Sequence, residues 1–198
     1  MKSIFTFSLV AAALMSATPA SASGLFLQEA VIANAGTTGA GDGVYTESAA
    51  AIWANPATMS GMGKSLTTVN ALGLDIEMKY NDATGDATKN GKASTTMPSV
   101  GVFHARQINE DVHLGIALGT VGGSSLDYGS EWGGSALMSD TTLTALQFNP
   151  SLSYKVNEQL SLGGGVQFNW ASLAMGIASG NVNLEQSSDW AYGFNLGA

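Results

Sequence analysis

The sequence predicts an all-β protein, and within that class a transmembrane antiparallel β-barrel, from three observations. Apolar side chains recur at every second position from Leu66 onward, the chain begins with an export signal, and its later connections alternate between short and long. Strands with one apolar and one polar face suit a barrel whose backbone hydrogen bonds all close within the sheet. No later segment approaches the ~18 consecutive apolar residues that a membrane-spanning helix needs.

The first element is a secretory signal peptide over 1–22. Lys2 supplies the positive start, residues 4–15 form the apolar core, and Ala20-Ser21-Ala22 is a small-residue cleavage site. The mature chain should therefore begin at Ser23. Since the sequence has no cysteine, this exported protein cannot use disulfides and must depend on packing or on a closed sheet.

Residues 23–63 form the second predicted element, a hatch that plugs the barrel lumen. They are rich in Gly and Ala and lack the two-residue period of the later chain. Residues 48–53 favour a helix. Asn55 is placed to cap a following helix, and Pro56 stands at its first position, where no amide donor is needed. These features predict a compact, partly helical prefix.

Residues 64–198 form the third predicted element, the barrel wall. Its apolar phase is expected to face lipid and its polar phase the lumen, because a carboxylate in hydrocarbon costs several kcal/mol. Six strands are predicted, near 64–80, 97–106, 111–122, 140–155, 159–171 and 188–198. The expected outward side chains include Leu72, Leu74, Ile76, Leu114, Ile116 and Phe168, and the expected inward ones include Asp75, Glu77, Gln167 and Asn169.

Connection lengths predict the orientation of this wall. The short turns 107–110 and 156–158 are expected in the periplasm, because outer-membrane barrels put short turns there and long loops outside. The long connections 81–96, 123–139 and 172–187 should face the exterior. Aromatic girdles are expected from Tyr80, Trp132 and Trp170 near the outer ends and Tyr154 near an inner end. Six strands are fewer than the minimum of about eight, and the pattern stops in mid-strand at Ala198, so we expect the N-terminal part of a longer barrel.

Several motifs resemble those of the FadL/TodX-type outer-membrane transporters, in the same order. Together they cover essentially the whole mature chain. The motifs are 23–29 (SGLFLQE), 40–43 (AGDG), 55–59 (NPATM), 127–133 (DYGSEWG), 148–157 (FNPSLSYKVN) and 160–163 (LSLG).

The resemblance implies a fourteen-stranded barrel in the bacterial outer membrane that passes long-chain fatty acids or aromatic hydrocarbons without an energy source. The family often has an Arg shortly after the loop Trp, where Gly133 follows Trp132 here, and this departure favours a neutral cargo. Hydrophobic small molecules and outer-membrane lipid are the expected partners. The candidate residues are Leu25, Phe26 and Leu27 for ligand binding, as the apolar cluster at the free mature end, and Asn55, Pro56 and Ala57 as the hatch motif.

Other functions find little support in the residues. A formal net charge of −8, with only 7 Lys and Arg, argues against a nucleic-acid partner. His104 and His113 have no Cys or carboxylate at metal-ligand spacing, and no Gly-x-Ser-x-Gly elbow occurs, so no metal, cofactor or catalytic residue is predicted. The alternative is a structural or adhesive barrel whose outer loops bind a partner. The hatch separates the two, because an adhesin needs no plug.

Overall fold

Six long strands form one antiparallel sheet in which each strand pairs with its neighbour in the chain. The structure, a computed structural model, describes residues 30–178 and 182–198; the predicted signal peptide and the start of the predicted hatch lie outside these ranges. The strands are β1 (Ser65–Tyr80), β2 (Gly91–Gln107), β3 (Val112–Asp127), β4 (Asp140–Lys155), β5 (Ser161–Ile177) and β6 (Val182–Gly197).

Residues 30–63, hereafter the N-terminal segment, pack against one face of this sheet. The segment has four short 3₁₀ helices, Ala35–Thr37, Asp42–Val44, Ala49–Ile52 and Pro56–Gly61, and a fifth, Ala87–Lys89, lies between β1 and β2. We call the sheet face that carries the segment the inner face and the opposite one the outer face. Among the described residues, no helix has the length and apolarity required to cross a membrane.

The core lies between the N-terminal segment and the inner face of β1 to β3. Ile52, Met59 and Phe103 are fully buried there, and Trp53 packs edge-on against Phe103 with ring centroids 6.2 Å apart. Small side chains from both layers fill the remaining space. They are Ala49, Ala50, Ala51, Ala105 and Ala117.

On β3 to β6 the outer face is apolar, as predicted. Leu114 and Ile116 are about half exposed there, as are Leu152 and Phe148 on β4. Phe168 pairs with Phe148, and Gln167 and Asn169 alternate with it on the inner face, so their predicted facing is confirmed. The apolar row of β6 (Trp190, Tyr192, Phe194, Leu196) is also exposed on the outer face.

On β1 the predicted facing is wrong. Thr68 accepts a hydrogen bond from the amide of Ala49 (2.9 Å), and the Asn70 side chain donates to the carbonyl oxygen of Ala30 (3.0 Å), so the even-numbered residues face inward. The register with β2 runs without a bulge to Tyr80, which keeps this phase along the strand. Leu72, Leu74 and Ile76 therefore face inward, and Asp75 and Glu77 face outward.

The height of the two carboxylates explains the reversal. Asp75 stands about ten residues beyond Ser65, or ~23 Å along the membrane normal at a tilt of ~45°, which is near the edge of an apolar band ~25 Å tall. Glu77 lies further out and forms ion pairs of 2.7 Å with both Lys79 and Lys92. Outward carboxylates at this height lie at or beyond the edge of the hydrocarbon, so the cost on which the prediction relied is much smaller there.

The strands are also longer at their outer ends than predicted. The three long connections shrink to 81–90, 128–139 and 178–181 because β2, β3, β5 and β6 extend into segments expected to be loops. A strand of 16 residues rises ~37 Å along the normal at a tilt of ~45°, so its outer end passes beyond the apolar band. Those ends need no apolar alternation, and the sequence carried no signal for them.

Candidate functional site

Asn55 ties the N-terminal segment together. Its side-chain oxygen accepts a hydrogen bond from the amide of Ala57 (2.9 Å) and so caps the 3₁₀ helix Pro56–Gly61. Its Nδ2 donates to the carbonyl oxygens of Gly43 (2.8 Å) and Ala198 (2.9 Å). Pro56 occupies the first position of the helix, as the sequence predicted.

A second tie closes the loop at the start of the segment. The carboxylate of Asp42, nearly buried, accepts hydrogen bonds from the amides of Ala33 (2.6 Å) and Asn34 (3.2 Å). Asn70 of β1 then donates to the carbonyl oxygen of Ile32 (3.1 Å) as well as to that of Ala30. This buried carboxylate therefore orders backbone donors and is not a free acid or base.

Glycines on the inner face let the N-terminal segment approach the wall closely. A Cβ at Gly163 would collide with the backbone of Pro56 and Ala57, and one at Gly101 with the carbonyl oxygen of Ala30. Gly115 and Gly119 likewise leave room for side chains of the segment. Because glycine has no side chain, backbone can pack against backbone at these points.

Polar contacts complete this interface at the end of the wall that carries the short turns. The hydroxyls of Ser60 and Ser153 lie 2.6 Å apart, and Nε2 of His113 lies 3.0 Å from the carbonyl oxygen of Gly63. His113 is buried on the inner face, next to the end of the segment. Its contact holds Gly63 at the end of the segment.

Beyond the N-terminal segment, toward the long connections, the inner face of β1 to β5 is mostly apolar, and β6 adds the carboxylate of Asp189 opposite Ala171. We call the apolar residues the apolar inner surface: Leu72, Leu74, Ile76 and Met78 of β1, Met97 of β2, Leu143 of β4, and Leu173 and Met175 of β5. The inner face of β1 to β5 carries charge only at Lys155, at the opposite end of the wall and paired with Glu158. The arrangement can accommodate a hydrophobic molecule.

Sequence reasoning did not identify this surface, because it assigned the apolar phase of β1 to lipid. Thr68 and Asn70 could have identified it, because both are polar and lie on the same face of β1 as Leu72. Polar residues in the lower half of an otherwise apolar phase would be buried in hydrocarbon unless that phase faced inward.

The wall has an unpaired seam between β2 and β3, beside the apolar inner surface. Backbone pairing between these strands ends at Gly101 opposite Gly119, although both continue further. A bulge between Thr120 and Gly122 shifts the register of β3 on β4, and bulges bend a strand locally. The small cavity at this seam is lined by Leu74, Met97, Pro98, Ser99, Thr120, Gly122 and Gly123.

Three aromatic rings cluster at the outer end, where two connections meet. Trp132 stacks on Tyr128 (ring centroids 4.6 Å apart) and contacts Tyr80 edge-on (5.2 Å), while its Nε1 donates to the carbonyl oxygen of Met138 (3.0 Å). Trp132 also packs over Gly91, which lies on the inner face. Tyr80 and Trp132 therefore lie over the inner side of the wall and do not form the predicted membrane girdle. Trp170 and Tyr154 do face outward, in register with Leu146 and Leu162.

The predicted site residues fall into two groups. Leu25, Phe26 and Leu27 lie outside the described residues, and their assignment to ligand binding stays a prediction. Asn55, Pro56 and Ala57 lie in the N-terminal segment against β5 and β6, where they support structure through the contacts above. No group of three or more possible metal ligands occurs within 30–178 and 182–198.

Comparisons with known proteins agree with this architecture. Residues 13–198 match the family model described as outer membrane protein transport protein (OMPP1/FadL/TodX). The chain is 30% identical over 216 residues to a 47 kDa outer membrane protein of Pasteurella multocida (strain Pm70), with 98% of this chain and 50% of that relative covered. It thus spans about half the length of the curated relative it matches.

Two solved structures are similar. The crystal structure of a Pseudomonas aeruginosa FadL homologue superimposes with a TM-score of 0.69 at 21% identity, covering 86% of this chain and 48% of that one. A TodX deltaS2S3 mutant, described as a monoaromatic hydrocarbon channel, gives a TM-score of 0.50 at 26% identity, covering 64% and 31%.

These likenesses identify the sheet as part of the wall of a β-barrel in the bacterial outer membrane. In such a wall the apolar face is the side toward the membrane, and the opposite face is the side toward the lumen. With the predicted family, fold class and localisation thus confirmed, the chain belongs to the outer membrane protein transport family (OMPP1/FadL/TodX).

Proposed function

We propose that the full-length protein passes hydrophobic molecules across the outer membrane without an energy source. The observation that supports this proposal most directly is the apolar inner surface. It lies beyond the N-terminal segment, toward the long connections, and none of its side chains on β1 to β5 is charged. A lumen meant for small hydrophilic solutes keeps itself wet with charged or polar rings. An apolar lining instead favours hydrophobic solutes, which partition out of water.

The cargo that fits this lining is uncharged or carries its charge at one end, as do aromatic hydrocarbons and long-chain fatty acids. Within the described inner wall of β1 to β5, the one cation, Lys155, is already paired with Glu158 and lies far from the apolar inner surface. Among the described residues of this wall, no unpaired cation therefore lies near the apolar inner surface to bind a carboxylate. The similar TodX mutant, a monoaromatic hydrocarbon channel, is consistent with a neutral aromatic cargo.

The proposed path has three stations. A molecule enters past the aromatic rings of Tyr80, Tyr128 and Trp132, rests on the apolar inner surface, and leaves either when the hatch shifts or through the seam beside Leu74 and Met97. Passive transport requires binding that is favourable yet weak, since a tightly held molecule would not be released. Leu25, Phe26 and Leu27 are proposed to bound the resting site from the hatch side.

Uptake of radiolabelled toluene and oleate by cells with and without the full-length gene tests the proposal. Leu74→Asn and Ile76→Asn should lower uptake severalfold, because each adds a polar amide to the apolar inner surface. Asp75→Asn and Glu77→Gln, at the same height on the outer face, are the matched controls and should leave uptake unchanged.

Phe26→Ala should lower uptake more than it lowers the stability of the barrel, if Phe26 contacts cargo. Equal uptake of both compounds in the two strains would contradict transport and favour the structural or adhesive alternative.

A further inference from the structure

Among the described residues, two cations are used neither by the fold nor by the proposed transport. Lys79, Lys89, Lys92 and Lys155 each form an ion pair with a carboxylate. Lys64 and Arg106, the latter the sole arginine of the sequence, form none with the described residues. Both are exposed at the periplasmic end of the wall, where β1 begins and β2 ends.

The two cations line one open recess of about 680 Å³ together with His104. Arg106 stands opposite Ser65 and His104 opposite Thr67 in the register of β1 and β2, and both lie on the outer face. The remaining lining residues come from the neighbouring turn and include Ile108 and Glu110. With Lys64 and Arg106 positive and Glu110 negative, the recess keeps a net positive charge.

His104 adds a directed polar atom to this recess. Its Nδ1 lies 2.8 Å from the hydroxyl of Thr67. When that hydroxyl donates to Nδ1, the neutral imidazole carries its hydrogen on Nε2 and can offer it to an acceptor. The recess therefore combines an arginine fork, a lysine ammonium and an imidazole N–H.

The surroundings identify which acceptor would meet these donors. On the β3 side, Arg106 is in register with Leu114 and His104 with Ile116, and both apolar side chains are about half exposed on the lipid-facing surface. The recess thus lies where the apolar band gives way to the periplasmic interface. A molecule bound here would have its anionic end on the cations and its apolar part along Leu114 and Ile116.

We propose that this recess binds the phosphate group of an anionic phospholipid from the periplasmic leaflet of the outer membrane. Arginine binds phosphate in a bidentate manner, and the bond is charge-assisted. The acyl chains then lie along the outer face of β2 and β3. This site is on the opposite face of the wall from the apolar inner surface and is independent of the cargo.

Native mass spectrometry of the purified full-length protein in neutral detergent tests the site, with phosphatidylglycerol and phosphatidylcholine of identical acyl chains as probes. The wild type should retain phosphatidylglycerol preferentially. Arg106→Gln and Lys64→Gln should each lower the bound fraction about fivefold, the effect expected for one basic residue near a membrane surface. Arg106→Lys should lose less, since it keeps the charge but not the fork.

Lys155→Gln is the matched control, because Lys155 lies at the same end of the wall but is already paired with Glu158. It should leave phosphatidylglycerol binding unchanged. Equal retention of both lipids by the wild type, or equal losses in the Lys155 and Arg106 variants, would overturn the proposal. So would full displacement of the lipid by millimolar inorganic phosphate, which would indicate a site for a free anion. Each variant is checked for its folded, heat-modifiable form before binding is measured.

Discussion

At the scale of single residues, the contacts of the N-terminal segment with β5 and β6 are polar or steric, whereas its contacts with β1 to β3 form the hydrophobic core. Asn55 supplies one acceptor and two donor contacts, and Gly163 supplies the absence of a side chain. These contacts fix the position of the segment against β5 and β6 without adding to that core.

Replacing Asn55 separates its two roles. Asn55→Ala should remove the cap and cost about 1 kcal/mol, so the Ala57 amide should exchange with solvent about fivefold faster. Asn55→Asp keeps the accepting oxygen but loses the donor to Gly43 and Ala198, and it should preserve protection of Ala57. Hydrogen exchange followed by mass spectrometry of residues 55–62 measures both. Equal exchange in wild type and Asn55→Ala would rule out a capping role.

Replacing Gly163 tests the close approach of the two backbones. Gly163→Ala should displace Pro56 and Ala57 and destabilise the packed segment by about 1–3 kcal/mol, the usual cost of overpacking. Gly73→Ala is the matched control, because a Cβ at Gly73 meets nothing within 4 Å. Limited proteolysis within residues 43–61 reports the displacement. If both variants resist the protease like the wild type, the steric argument is wrong.

At the scale of elements, β1 shows why period two alone does not orient a strand. Its apolar phase faces the lumen, whereas the apolar phase of β3 faces lipid. On the outer face of β1 the lower half carries Val69, Ala71 and Gly73, which are acceptable in hydrocarbon, and charge begins only at Asp75. Both phases of β1 are thus compatible with a membrane, and contacts with the N-terminal segment decide between them.

Cysteine labelling with a polarity-sensitive fluorophore checks the facing of β1. Labels at Val69 and Ala71 should be quenched by brominated lipid, and labels at Leu72 and Leu74 should not, because they lie inside the lumen. Leu114 on β3 serves as the quenched reference. Quenching at Leu72 and Leu74 with none at Val69 and Ala71 would restore the orientation that the sequence suggested.

At the scale of the whole molecule, the N-terminal segment spans the inner face from β1 to β6. Its helix Ala49–Ile52 lies against β1 to β3, and Pro56–Gly61 contacts β5 at Gly163 and β6 at Gly197. A segment placed across the wall in this way would obstruct a barrel lumen. The predicted hatch over 23–63 is a proposal consistent with these contacts.

Deleting residues 23–62 from the full-length protein tests the hatch. The barrel should still assemble, because the strand pairings do not involve the segment, and leak of small hydrophilic solutes should rise severalfold. Liposome swelling with sugars of increasing size measures the leak. Insertion is checked by heat-modifiable migration. A correctly inserted deletion variant with unchanged leak would argue against a plug.

Local signals in the sequence determined much of this protein. Apolar alternation located all six strands, short turns located two hairpins, and the Asn55-Pro56 pair located a capped helix, since each depends on neighbours within a few residues. The motifs further determined the family. The outer ends of the strands were missed because they project past the hydrocarbon, where no alternation is required.

Only the tertiary structure decided which face each strand presents, and hence where the apolar inner surface lies. Alternation shows that the two faces of a strand differ, but it does not show which face the N-terminal segment covers. On β1 that choice depends on the hydrogen bonds of Thr68 with Ala49 and of Asn70 with Ala30. The seam between β2 and β3 and the recess of Lys64 and Arg106 likewise arise from register between strands. Residues distant in the chain meet there, and no local pattern in a sequence records such a meeting.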